Sequence, residues 1–238
     1  MDNATPHAYA AAMDHRALKD SLYPHFARIG AALASDRRLE LLNLLAQAPR
    51  HVEALAAESG MSVANTSQHL QTLKNARLVD AHRVGARVEY CLADESVARL
   101  WLALRDVGET RLSEVADITR RLGLNDSRGE MVHREDLERL SADGSILVLD
   151  VRPRHEQEHG HVRGATLIPH DELESRLDEL PRDRRIVAYC RGHYCLFADV
   201  AVDLLRQRGF DAVRLDGGWL EWMVEGRPTE AATSTENA

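Results

Sequence analysis

Only three cysteines stand in 238 residues, aromatic side chains make up 5% of them, and no apolar run approaches the ~18 residues that crossing a bilayer takes. So few cysteines exclude a disulfide framework and point to a reducing cytoplasm, where a cysteine pair reads first as reactive or metal-binding. The missing apolar run excludes a membrane-spanning helix. The first twenty residues, MDNATPHAYAAAMDHRALKD, lack both a basic opening and a sustained apolar stretch, so they do not read as a secretory signal. Positive charge is short as well, with 30 Lys and Arg against 38 Asp and Glu, a net of −8. Such a chain is not a generic nucleic-acid binder. The deficit is uneven, however: residues 1–122 balance 15 basic against 15 acidic side chains, and the whole acidic excess falls after them. Any affinity for DNA has to come from a local patch in the first half.

What is present divides at a polar, turn-prone stretch, GLNDSRGE. We assign residues 1–122 to one domain, 123–130 to a linker, 131–228 to a second domain and 229–238 to a disordered tail. The first half reads as mainly α. Ile29, Leu33, Leu39, Leu41, Leu42, Leu44 and Leu45 keep helical spacing, with Ser35–Asp36 as an N-cap between two helices and Pro49 as a stop. HVEALAAES is a short helix ended by Gly60. Ser62 caps the next, VANTSQHLQTLKNA, with Val63, Leu70 and Leu73 facing inward. The period then changes to two short β-like runs around Gly85, a hairpin. Val97, Leu100, Trp101, Leu104, Leu112, Val115, Ile118 and Leu122 predict one long amphipathic helix whose stripe suits a dimer seam. In the second half the strands SILVLDV, ATLIP, RRIVAYC and DAVRLDG alternate with the helices DELESRLDEL, LFADVAVDLLRQRG and WLEWMVEG. That order predicts an α/β domain with a parallel sheet covered on both faces.

Helix, tight turn, helix and hairpin is the order of a winged helix-turn-helix. The expected recognition helix spans 62–76, opens at Ser62 and turns Asn65, Thr66, Gln68, His69, Gln71 and Lys74 outward. Short and amide side chains read base edges, and a terminal cation suits a phosphate. Arg83 and Arg87 put positive charge at the wing. The segments ALASDRRLELLNLL, SVANTSQHLQTLKNARLV and GARVEYCL resemble the ArsR family of bacterial repressors. The resemblance implies a homodimer on a near-palindromic, double-stranded operator, with recognition helices ~34 Å apart, and an effector that lowers DNA affinity. The sequence departs from the metal-sensing members. RHVEALAAES carries no cysteine for a soft ion, and the last helix of this half carries no histidine for zinc. No metal site and no cofactor are implied.

RIVAYCRGHYCLFADV holds Cys190 and Cys195 at the two ends of one tight loop between a strand and a helix. Gly192 gives that loop backbone freedom, and the following helix aims its positive end at it. Inward N–H groups, with Arg191 and His193 beside them, would favour a thiolate and lower a cysteine pKa from ~8.5 toward the ~3.5–7.5 of reactive sites. The alternative for Cys190 is a small buried hydrophobe ending a strand. LVLDVRPRHEQEHGHVRGATLIP, IVAYCRGHYC and LDGGWLEWMVEGRP resemble a rhodanese domain, which implies sulfur transfer through a persulfide. By that resemblance Cys190 is the persulfide carrier and Arg191, Gly192, His193, Tyr194 and Cys195 form its cradle. Asp150, Arg152, His161 and Gly164 match family signatures that we read as structural. Related phosphatases place an arginine six residues after the cysteine; Leu196 stands there, so phosphoryl transfer is disfavoured.

Cys195 is a departure from the rhodanese pattern. It either bridges to a sulfur-loaded Cys190 or fills the first helical turn. Cys91, on the wing strand, is either inert or a remote acceptor. Three functions remain open. One is a regulator responding to a small sulfane-sulfur donor such as thiosulfate, a persulfide or a polysulfide. The second is a sulfurtransferase enzyme with an accessory DNA-binding domain. The third is a dithiol sensor of redox state or arsenite.

Overall fold

Leucines at helical spacing draw the first half around one core in the computed structural model, which describes residues 15–121 and 130–231. Its helices are α1 (His15–Leu33), α2 (Asp36–Leu45), α3 (Val52–Ser59), α4 (Val63–Asn75), α5 (Glu95–Arg111) and α6 (Ser113–Arg121). Leu41, Leu42, Leu55, Leu70, Leu73 and Val97 meet at the centre. Strands β1 (Arg50–His51), β2 (Val79–Val84) and β3 (Arg87–Leu92) form an antiparallel sheet in the order β1-β3-β2. Gly60, at φ +65°, turns the chain out of α3 and hands its N–H to the Ala56 carbonyl. The Ser62 hydroxyl then accepts the Asn65 N–H at 3.2 Å and starts α4. The helix-turn-helix and its wing are present as expected.

Three details of this half differ from the sequence reading. Val63 is exposed, and Thr66 is buried rather than outward, its hydroxyl donating to the Ser62 carbonyl at 3.0 Å. Thr66 shares a face with Leu70 and Leu73, four and seven residues on, so it cannot also face solvent beside Asn65 and Gln68. The single long helix breaks into α5 and α6 at Leu112, which is extended (φ −104°, ψ 108°). Just before the break, Thr110 turns its hydroxyl back onto the Asp106 and Val107 carbonyls. Of the expected apolar stripe, Leu100, Leu104, Leu112 and Ile118 are exposed, Trp101 and Val115 are half-buried, Val97 is buried in the core and Leu122 lies outside the described residues; Val107, and Leu22, Tyr23 and Phe26 on α1, are exposed as well.

In the second half, β4 (Met131–Val132), β5 (Ile146–Asp150), β7 (Thr166–Leu167), β8 (Arg185–Tyr189) and β9 (Ala212–Leu215) form one parallel sheet. The order is β4-β9-β8-β5-β7. Along β8, Ile186 and Ala188 enter one core while Val187 and Tyr189 enter the other, so both faces are covered. Around the sheet lie α7 (Arg134–Ala142), α8 (Arg154–His159), α9 (Phe197–Gln207) and α10 (Trp219–Val224). The expected helix DELESRLDEL is instead a 3-10 segment, Leu173–Glu179, kinked at Arg176. The tail assigned to disorder from residue 229 begins with a strand. Thr229–Glu230 (β10) pairs antiparallel with His161–Val162 (β6), because the Pro228 carbonyl is held by the Trp222 indole N–H at 2.9 Å and the Arg163 N–H at 3.2 Å. Residues 123–129 of the expected linker and 232–238 of the tail lie outside the described residues. No helix among the described residues is long and apolar enough to cross a membrane.

The halves share a seam. Ala46 of the α2 end, Ala98 of α5 and Leu220 of α10 are buried together, with Leu92, Trp101, Leu102 and Met223 packed around them.

Candidate functional site: a cysteine loop between the two halves

Tyr189 ends β8 and Phe197 begins α9, so the chain from Cys190 to Leu196 has to turn sharply at the edge of the sheet. Gly192 takes φ +153°, and a Cβ there would stand 3.0 Å from the Glu221 carboxylate. Gly218 lets α10 approach: a Cβ on it would lie 2.5 Å from both the Cys190 carbonyl and the Gly192 nitrogen. That approach lets the Trp219 N–H reach the Cys190 carbonyl at 2.9 Å. Beneath the loop, Asp150 accepts the Tyr189 hydroxyl (2.6 Å) and the Arg152 guanidinium (2.6 Å), all three side chains being buried. Arg152 also donates to the Gly160 carbonyl, and His161 Nδ1 lies 2.8 Å from that of Gln157. Gly164 takes φ +74° at the turn after β6. Asp150 and Arg152 thus brace Tyr189, which ends β8 immediately before Cys190.

The two thiols differ. Cys190 is wholly buried, and its S–H donates to the Cys195 carbonyl at 3.3 Å. Amides of Ala198 and Gly192 face the same sulfur, but burial outweighs them and pushes the thiol well above its ordinary range. Cys195 is half-buried and is lowered to about 7. The Cys190 thiol is the main cause; burial opposes it, and the Phe197 and Arg191 amides and the Arg191 charge add to it. The sequence places the thiolate on Cys190; in the structure burial under the loop works against that charge, and Cys195 is the more accessible of the two thiols. Iodoacetamide is therefore expected to label Cys195 at a rate that rises with pH and levels off above about 7, as thiolate replaces thiol. Mass mapping of the labelled peptides checks this. A Cys195 rate flat across that range would contradict it.

A cavity of about 330 Å³ opens over the loop, lined by Arg191 to Phe197 and, from the other half of the molecule, by Asn43 of α2 and Arg105 of α5. Arg191 leaves the loop to meet Glu156 of α8 (Nε–H to Oε1, 2.9 Å) and Glu58 of α3. Arg50, at β1, meets the same two carboxylates, Glu58 at 2.5 Å and Glu156. Burial works against the Arg191 charge, but Glu156 and Glu58 hold it firmly protonated. On the other side, Tyr194 donates to Glu109 of α5 at 2.6 Å, and Arg105 pairs with Glu221 of α10 at 2.7 Å. The loop is gripped by α3 and α5 at once.

His193 lines the cavity with its ring edge-on to Tyr194. On the DNA-reading face Asn65, Gln68, Gln71 and Lys74 are exposed, His69 is half-buried, and Ser62 is engaged in capping. Arg83 and Arg87 are exposed at the wing, where Arg83 donates to the Gly85 carbonyl at 3.3 Å. The structure gathers the loop residues into one site and leaves Asn65, Gln68 and Lys74 of α4 and Arg83 and Arg87 of the wing exposed. Cys91 lies in a separate cleft beside His159 and Met223, and burial, then Asp80 and Glu89, raises its pKa. Sequence reasoning missed Asn43, Arg50, Glu58, Arg105, Glu109 and Glu156, none of which has a local pattern.

Residues 35–81 match the model described as bacterial regulatory protein, arsR family, and residues 133–225 match that of the rhodanese-like domain. The chain is 43% identical over 212 residues to the HTH-type transcriptional regulator Rv0324 of Mycobacterium tuberculosis, a match spanning 89% of this chain and 93% of that one. It is 32% identical over 95 residues to a sulfurtransferase of Allochromatium vinosum, spanning 40% of this chain and 87% of the other. Among solved structures, it is 44% identical to the homodimeric winged helix-turn-helix DNA-binding domain of a possible ArsR-family regulator from Mycobacterium bovis. That likeness covers 42% of this chain and 92% of that one, with a TM-score of 0.40.

Proposed function

The chain belongs to the ArsR family of bacterial regulatory proteins and carries a rhodanese-like domain behind its DNA-reading half; on that premise we propose a cytoplasmic repressor that releases its operator when sulfane sulfur loads the cysteine loop. The donor is a small molecule such as thiosulfate, a persulfide or a polysulfide, and the loaded form is a persulfide held at Cys190. A second copy covers the apolar residues left exposed on α1, α5 and α6, so that two recognition helices meet successive major grooves. Asn65, Gln68 and Gln71 face the bases, while Lys74, Arg83 and Arg87 face phosphates.

One observation carries the reading: Arg191, the residue after Cys190, is ion-paired to Glu58, two residues before the Gly60 turn that leads into the recognition helix. An added sulfur lengthens the buried side chain by ~2 Å, the length of an S–S bond. Gly218 and Glu221 press against the loop from α10 and its start, so the longer side chain is expected to shift the loop. Arg191 then moves against Glu58, and Tyr194 against Glu109 of α5. Both α3 and α5 support the DNA-reading surface, so the loaded state holds the recognition helices in a poorer register.

An operator-driven reporter in cells tests this. Expression is expected to rise with a sulfane donor and to stay flat with arsenite or peroxide. A response to arsenite or peroxide alone would favour the dithiol sensor. Steady sulfur turnover by the purified protein, unaffected by operator DNA, would favour the enzyme.

A further inference from the structure

We infer that Cys195 is the thiol that meets the donor, in a binding site built jointly by the two halves, and that Cys190 receives its sulfur from Cys195. The inference rests on the sulfur-responsive reading above and names its point of entry. Cys195 lines the cavity between Asn43, Arg105 and the loop, whereas Cys190 does not line it and is wholly buried. A donor entering from solvent therefore reaches the Cys195 sulfur first. The easier ionisation of Cys195 supports the same order, since the thiolate is the attacking form.

The chemistry balances without an external oxidant. The Cys195 thiolate attacks the outer sulfur of a hydropersulfide, R–S–SH. Its S–S bond breaks, RS⁻ leaves with the electron pair, and Cys195–S–SH forms. Cys190 Sγ then attacks that same outer sulfur. A new S–S bond forms on Cys190, Cys195 Sγ leaves as thiolate, and the Cys190 proton passes to it. The sum is Cys190–SH plus Cys195–S–SH giving Cys190–S–SH plus Cys195–SH. The new persulfide sits where the Gly192 and Ala198 amides face it.

The walls also select the donor. Both arginines of the cavity are already engaged, Arg105 with Glu221 and Glu109, Arg191 with Glu156 and Glu58. A dianion such as thiosulfate meets no uncompensated guanidinium there, so a hydropersulfide of low charge is the favoured donor class.

The test uses the reduced full-length protein, its Cys190→Ser variant and its Cys195→Ser variant, each exposed to an organic hydropersulfide, blocked by alkylation and digested with trypsin. Cleavage after Arg191 puts the two cysteines on separate peptides, Ile186–Arg191 and Gly192–Arg206. The expected result is one extra sulfur, about 32 Da, retained on the Cys195 peptide of Cys190→Ser. Loading of Cys190 in Cys195→Ser is expected to be at least ~10-fold slower than in the wild type. Wild-type loading of Cys190 in Cys195→Ser overturns the inference and leaves the sulfur-responsive reading intact. No sulfur on either wild-type peptide overturns that reading itself. A brief alkylation pulse on the unsubstituted protein gives a check independent of folding: the Cys195 peptide labels first, and the reverse order overturns the inference. Thiosulfate loading as fast as hydropersulfide overturns the donor preference.

Discussion

Glu156→Gln is expected to cost ~3–5 kcal/mol of folding stability, the range for breaking a buried ion pair from one side. Glu156 is wholly buried and accepts from both Arg50 of the DNA-reading half and Arg191 of the cysteine loop. Glu58 is the remaining carboxylate of the cluster, and it is 30% exposed. An amide carries no charge, so two guanidiniums, one with 3% and one with 15% of its side chain exposed, would share that single partner. The loss should register in urea as a lower midpoint and a less cooperative transition, since the halves are then joined through the apolar seam and the loop's pairs with α5 without the Glu156 cluster. Salt should change it little, in contrast to a surface pair such as Arg16–Asp20. A shift below ~1 kcal/mol with undiminished cooperativity would mean that the cluster does not join the halves.

Asp150→Ala is expected to have a comparable effect, ~3–5 kcal/mol, confined to the second half. Asp150 is the acceptor for the Arg152 guanidinium, the Arg152 N–H and the Tyr189 hydroxyl. Without it a buried cation keeps the Gly160 carbonyl, the faces of Trp219 and Tyr189 and the charge of Glu156. Because Tyr189 immediately precedes Cys190, the reactive loop should loosen as well, and Cys190 should become open to alkylation in the native protein. Urea unfolding followed by thiol labelling checks both effects. Full stability with Cys190 still protected would contradict the bracing role.

Much of this was legible in the chain because periodicity reports burial. The leucines of α2 and α4, the alternating residues of β8 and the Gly60 and Gly85 turns all announce their elements locally. The short pieces were not legible: β1, β4, β6 and β10 have two residues each, and their pairing is decided by partners far along the chain. Helix α8, RHEQEH, is too short and polar for a helical stripe, yet its Glu156 is buried because two arginines from elsewhere converge on it. Thr66 was misplaced because residue type was weighed above its position on the helix face. The cysteine loop was visible as a motif, but its division into a buried and an open thiol was not, since that depends on how α9, α10 and the DNA-reading half close over it.

The most direct measurement is operator affinity at one fixed salt concentration for the full-length protein, reduced and then loaded with sulfane sulfur, with the load confirmed by intact mass. Communication through Arg191–Glu58 and Tyr194–Glu109 predicts binding weaker by ~5–150-fold in the loaded state, the range of ordinary coupling between sites, and restored by a thiol reductant. Equal affinity in the two states would contradict it.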